Sequence, residues 1–199
     1  MPIIGIATGI VVVGDLVGEG AAREQAVIVF PEGAISGYEP SDSRYSARLD
    51  AAALHEIGTL TLRADVFCPA EPGRYPVILS YGPYAKGLAF QEGYPSAWQR
   101  MVAEHPDVAH GSTNQYQSWE VVDPEKWVPE GYVCVRVDSR GAGRSPGHLA
   151  HNNARETRDI HLCIEWAAAQ PWCNGAVGMI GTSWGGVNAL QVAARRPPA

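Results

Sequence analysis

The sequence predicts an α/β protein whose sheet is mainly parallel, with crossover helices. Three observations carry that expectation. From residue 75 onward, strand-like and helix-like segments alternate. Residues 75–81 form a near-continuous apolar run, the pattern of a strand buried on both faces. Near the end, the apolar run 176–180, which suits a buried strand, passes through a glycine-rich turn into a helical pattern with Val187, Leu190, Val192 and Ala193 on its apolar face.

The composition agrees with a globular chain. Of 199 residues, 46% are hydrophobic and 18% are charged, enough for one domain with a core of its own. The 15 Lys and Arg are scattered against 21 Asp and Glu, so there is no basic cluster for nucleic acid. No run approaches the roughly 18 apolar residues that span a bilayer, so no membrane partner is expected. Residues 3–13 are apolar, but no Lys or Arg precedes them and no small-x-small site follows closely, which argues against a signal peptide. Cys68, Cys134, Cys163 and Cys173 lack metal-ligand spacing. Cys134 and Cys163 lie in apolar patterns and read as core residues. Free core thiols fit a reducing, cytoplasmic setting. Neither a metal nor an organic cofactor is expected.

Taken in order, residues 1–56 form an N-terminal segment without legible chemistry. Two β-like runs, 10–13 and 26–30, precede a polar, loop-like stretch at 41–50. Residues 59–67 alternate as a strand, ended by Pro69 and Pro72-Gly73. The strand at 75–81 runs into a Gly82–Lys86 loop, and residues 96–103 suggest a short helix. Pro106, Gly111, Pro124 and Pro129 break the pattern over 105–130 into irregular structure. A strand at 132–138 is followed by a glycine-rich loop, then by a helix with Asn153 and Glu156 at capping-box spacing. Ile160, Cys163, Ile164 and Ala167 make its buried stripe, and Pro171 stops it.

The turn after residue 180 reads Gly181-Thr182-Ser183-Trp184-Gly185, a G-x-S-x-G match. Strand, sharp turn and helix are the context in which this motif lifts a serine hydroxyl off a sheet. Gly181 and Gly185 are expected to remove the Cβ clashes of that turn. The free N–H groups of the helix start would lie beneath a developing oxyanion.

Four motifs occur in order: Pro83-Tyr84-x-Lys86; Asp138-x-Arg140-Gly141-x-Gly143-x-Ser145-x-Gly147; Ile164-Glu165-Trp166 through Gln170-Pro171-Trp172; and Gly181 through Gly186. Together they resemble the X-Pro dipeptidyl-peptidase and cocaine-esterase-like family of α/β-hydrolases, over residues 57–199. One departure is Glu56-Ile57-Gly58, where such proteins usually carry an Asp-Gly turn. The resemblance implies that 57–199 is the N-terminal half of an α/β-hydrolase domain, ending after the nucleophile-elbow helix. It implies Ser183 as nucleophile, with the Tyr84 hydroxyl and the Trp184 backbone N–H as oxyanion donors. It also implies hydrolysis of a small acyl ester or a short X-Pro peptide through an acyl-enzyme. Oligomeric state is not legible.

The glycines of the Asp138–Gly147 loop, after a strand and before a helix, have some likeness to a dinucleotide fingerprint. That motif needs an acid at the end of a following strand, and Glu156 and Asp159 fall within a helix instead. The loop is expected to shape the pocket rim, with Asp138 and Arg140 paired. A serine nucleophile also needs a base and an orienting acid, in the order Ser, Asp or Glu, His. Residues 184–199 contain none of these acids and no His. His55, His105, His110, His148, His151 and His161 all precede Ser183, and of these His148 and His151 are the loop candidates for a base. The expectation is therefore a serine hydrolase incomplete in this chain. The alternative is a non-catalytic, hydrolase-like binding protein lacking the base.

Overall fold

A computed structural model describes residues 6–14, 25–28, 59–84 and 88–199, with side chains from Leu62 onward. Its strands are β1 (Ile6–Gly14), β2 (Gln25–Ile28), β3 (Thr59–Phe67), β4 (Tyr75–Gly82), β5 (Val133–Asp138) and β6 (Cys173–Met179). The helices are α1 (Phe90–Gly93), α2 (Pro95–Glu104), α3 (Pro124–Trp127), α4 (Ala154–Ala168) and α5 (Trp184–Ala193), with a 3-10 turn at Pro106–Ala109. The strands form one sheet in the order β2-β1-β3-β5-β4-β6.

From Tyr75 on, the pairing is parallel as expected, β4 lying between β5 and β6. The earlier strands join antiparallel, β1 with β2, β3 with β1 and β5 with β3, so the whole sheet is mixed. The strands expected at 10–13 and 26–30 correspond to β1, which is longer, and to β2. The loop expected at 41–50, His55 and Lys86 lie outside the described residues.

The core sits at the centre of the sheet. Every residue of β5 is buried, because a strand flanked by β3 and β4 and covered on its faces has no solvent side. Helix α4 lays the predicted stripe of Ile160, Cys163, Ile164 and Ala167 on Leu62, Val77, Leu79, Val133 and Val135. Each such aliphatic side chain contributes about 1.5–3 kcal/mol on full burial. Phe67, Val122, Val128 and Cys134 form a second, smaller cluster.

Arg136, 2% exposed, interrupts the apolar character of β5. Its Nη2 donates to the carbonyls of Tyr116 and Val122, and its guanidinium lies 5.0 Å from the Phe67 ring centroid. These bonds fold the 116–122 segment back over the strand ends. The irregular region has further order. Asp123 caps α3 through the Glu125 N–H, and the Glu125 carboxylate accepts from Ser112 Oγ, Thr113 N and Thr113 Oγ1. Phe90 meets Trp98 and Trp119 edge-to-face at 5.5 and 5.0 Å.

Two expectations fail near the C-terminal end. Strand β6 is largely exposed, not buried, because β4 is its one partner among the described strands. The apolar face read onto α5 is also wrong in part. Val192 is buried, but Val187 is 39% and Leu190 76% exposed, while Asn188 is fully buried. The helix packs on α4 and β4, and the contact it makes there is partly polar.

Candidate active site

Ser183 sits at the junction of β6 and α5, exposed, with φ 53° and ψ −117°. Side chains rarely adopt this backbone conformation, and it persists only where surrounding structure enforces it. One enforcer is the strand–helix contact. A Cβ on Gly181 would lie 2.2 Å from the Gly185 carbonyl carbon, so only glycine fits there. Gly185 differs from expectation: a Cβ there would meet the Tyr81 carbonyl oxygen at 3.8 Å, an ordinary contact. The turn needs Gly181 bare because the helix backbone fills the space a side chain would take.

The Tyr84 phenol lies near the Ser183 side chain. Partial burial, then the nearby Glu120 carboxylate, raises the Tyr84 phenol above its ordinary pKa, and the Ser183 side chain partly offsets this. The phenol therefore stays protonated, and able to donate, across the neutral range. Trp184 is the first residue of α5, where a backbone N–H has no partner within the helix. Beside the turn lies a cleft lined by Tyr84, Gly181, Thr182 and Gly185 together with Ser118, Trp119 and Glu120 of the 105–130 stretch. Glu120 holds φ +56°. Nothing in the residue pattern of the 105–130 stretch had singled out this wall.

Behind the turn, Glu156 ties two helices together. Its N–H donates to Asn153 Oδ1 (2.8 Å), the expected cap of α4. Its Oε2 accepts from Asn152 N (2.9 Å), so the box closes one residue earlier than its spacing suggests. Its Oε1 accepts from Trp184 Nε1 (2.9 Å) and from Asn188 Nδ2 (3.3 Å) on α5. Sequence reasoning found the cap but missed this second role. The available signal was the pairing of Trp184 and Asn188, four apart on one helical face.

The Asp138–Gly147 loop does not rim the cleft at Ser183. Residues of this loop line a second cleft with His148, Asn153 and Glu156. Arg140 makes a bidentate bond to Asp159 on α4, both contacts 2.8 Å. Asp138 accepts from Arg144 N, and a Cβ on Gly143 would lie 2.3 Å from its carboxylate. Ser145 Oγ donates to the Asp138 carbonyl and accepts from Arg63 N, fastening the loop to β3.

The histidines disperse. His151 packs edge-to-face on the Trp184 indole, ring centroids 4.0 Å apart, on the residue next to Ser183. His148 lines the second cleft, His161 is half-buried on α4, and His105 and His110 are exposed around the 3-10 turn. None of the described hydrogen bonds joins a histidine to Ser183.

A mixed sheet in this strand order, with a serine lifted on a strand–turn–helix junction, is an α/β-hydrolase fold. Residues 58–199 match the family described as X-Pro dipeptidyl-peptidase (S15 family), and the chain belongs to that family. It is 31% identical over 152 residues to the cocaine esterase of a Rhodococcus species, covering 76% of this chain and 22% of that protein. A candidate serine esterase of Mycobacterium bovis is 29% identical over 140 residues, 68% of this chain and 20% of the relative. The crystal structure of a CocE/NonD family hydrolase from Staphylococcus aureus superposes with a TM-score of 0.60 at 30% identity, covering 98% of this chain and 29% of that one. The chain thus spans about a fifth of the length of these curated relatives.

Proposed function

We propose that Ser183 is the nucleophile of a serine hydrolase that cleaves an ester or a short X-Pro peptide through an acyl-enzyme. The observation that carries this reading is the Ser183 backbone, held in a strained conformation at the strand–helix turn, with the Tyr84 phenol near its side chain. In the first half-reaction, Ser183 Oγ bonds to the substrate carbonyl carbon and gives its proton to a base. The carbonyl π electrons move onto oxygen, where the Tyr84 hydroxyl and the Trp184 backbone N–H hold the negative charge. Collapse of this intermediate breaks the bond to the alcohol or amine, which leaves with the proton. Water then repeats the sequence on the acyl-enzyme. The cleft lined by Trp119 and Glu120 is where the acyl or peptide portion is proposed to lie. Four free cysteines accord with the cytoplasmic setting proposed for the chain.

A second reading, a hydrolase-like binding protein without catalysis, is favoured by one observation: His151, a loop candidate for the base, packs edge-to-face on the Trp184 indole. Labelling with a fluorophosphonate probe separates the two. The first reading expects labelling that Ser183→Ala abolishes, and that Tyr84→Phe slows by about 10²-fold, the usual cost of one lost oxyanion donor. Probe labelling that persists in Ser183→Ala would remove Ser183 from the mechanism. Absence of labelling would move the weight to the binding reading. Hydrolysis of a small phenyl ester, compared with an X-Pro anilide, then distinguishes esterase from peptidase.

A further inference from the structure

We propose that Glu156 is a positioning residue for the oxyanion site, acting through Trp184. This rests on the reading of Ser183 as nucleophile and adds the device that holds its turn in place. Glu156 is 5% exposed, and both of its carboxylate oxygens are engaged. Oε1 takes the Trp184 indole N–H and the Asn188 amide, one helical turn apart on the same face of α5. Two anchors so spaced fix both the rotation of α5 about its axis and its position along it. A further bond, between Thr157 Oγ1 and Gln191 Oε1 (3.2 Å), continues the seam one turn on.

Holding the first turn of α5 fixes where the Trp184 backbone N–H points. A donor to an oxyanion works by being placed before the charge develops, so loss of its orientation costs rate even when the donor survives. The strain at Ser183 makes the anchor necessary. On the strand side, Gly181 and Gly185 are wedged together, a contact that would equally permit the helix to pivot. On the helix side, the Glu156 bonds resist that pivot. Charge-assisted acceptance from an indole and an amide is stronger than a neutral pair would provide. The carboxylate also lies in the first turn of α4, where the helix dipole favours a negative group.

The first test is nuclear magnetic resonance on this 199-residue chain, with the Trp184 signals assigned by the loss of its indole peak in Trp184→Phe. In Glu156→Ala, the Trp184 indole N–H should move to the free-indole position, the Trp184 backbone amide should shift, and the Val187 amide, bonded to the Ser183 carbonyl in the first turn of α5, should exchange with solvent at least about tenfold faster, the mark of a lost local constraint. Glu156→Gln, which keeps one acceptor oxygen, should lie between and guards against a variant that fails to fold. A Trp184 amide unchanged in shift and a Val187 amide unchanged in exchange in both variants would overturn the proposal, even if the indole signal moved. The second test is the rate of fluorophosphonate labelling. Glu156→Ala should lower the maximal rate by about 10²-fold with unchanged half-saturation, since a lost oxyanion donor acts on the chemical step. Combining it with Trp184→Phe should add little, because both changes cut one connection. Equal maximal rates in folded wild type and Glu156→Ala would also overturn it. A wild type that does not label counts against Ser183 as nucleophile, and the amide measurement still decides the role of Glu156.

Discussion

At the scale of single residues, the turn at Ser183 makes a sharp distinction between two glycines that look equivalent in the motif. Gly181→Ala puts a methyl 2.2–2.6 Å from the Gly185 backbone, which cannot yield as a flexible side chain would. It should destabilise the fold by about 3 kcal/mol, the upper range for overpacking, and release the strain at Ser183. Gly185→Ala has ordinary space and lies in the first turn of α5, so it should be neutral or stabilising by up to about 1 kcal/mol. Urea denaturation of the two variants checks the pair, and equal losses would mean that the turn is not built on this contact. Ser183 was legible as a candidate because a motif and its strand–helix context name it, whereas Tyr84 and Trp184 were legible through the family resemblance. Glu156 was legible only as a cap. Its bonds to Trp184 and Asn188 cross between two helices, and no local spacing encodes which carboxylate a distant indole will find.

At the scale of elements, the same contrast recurs. Helix α4 was readable throughout, because cap, apolar stripe and stop signal all lie within one segment and its packing surface is the sheet centre. Strand β6 and helix α5 were misread in burial, because exposure depends on which neighbours lie beside them and not on their own apolar pattern. Leu190 on α5 should therefore tolerate a charge: Leu190→Lys is expected to change stability by no more than about 0.5 kcal/mol, and to reduce self-association measured by light scattering. The loop after β5 behaves oppositely. Arg140 is 16% exposed and grips Asp159, itself 1% exposed, through two parallel bonds. Arg140→Ala removes that clamp from a buried carboxylate and should cost about 3 kcal/mol, read as a shift in the urea midpoint.

At the scale of the whole molecule, buried acids that stay protonated tie stability to alkaline pH. Burial pushes the Cys134 thiol from 9.0 up to about 12, with the Asp123 charge adding to it and Arg136 opposing it, and burial raises Cys68 likewise to about 12. Burial, reinforced by Asp159, also holds Tyr81 well above its ordinary value. The folded state thus keeps protons that the unfolded chain releases, so stability falls as pH rises. The loss begins near the ordinary thiol value of 9.0 and continues toward about 12. Each fully buried thiol contributes about 1.4 kcal/mol per pH unit over that window. Urea midpoints measured from pH 8 to 11 should decline, and Cys134→Ala should flatten the decline.

The two banks of the cleft answer to different parts of this sheet. The Ser183 bank leans on α4 through Glu156, whereas the opposite bank hangs from Arg136, which grips main-chain carbonyls at Tyr116 and Val122. A clasp on the main chain is indifferent to the side chains strung between its two holds. Glu120, whose φ of +56° also suits Asn or Gly, can therefore be exchanged in descent while Trp119 keeps its packing on Phe90, and a lineage can retune what its cleft admits while inheriting the serine's setting unaltered.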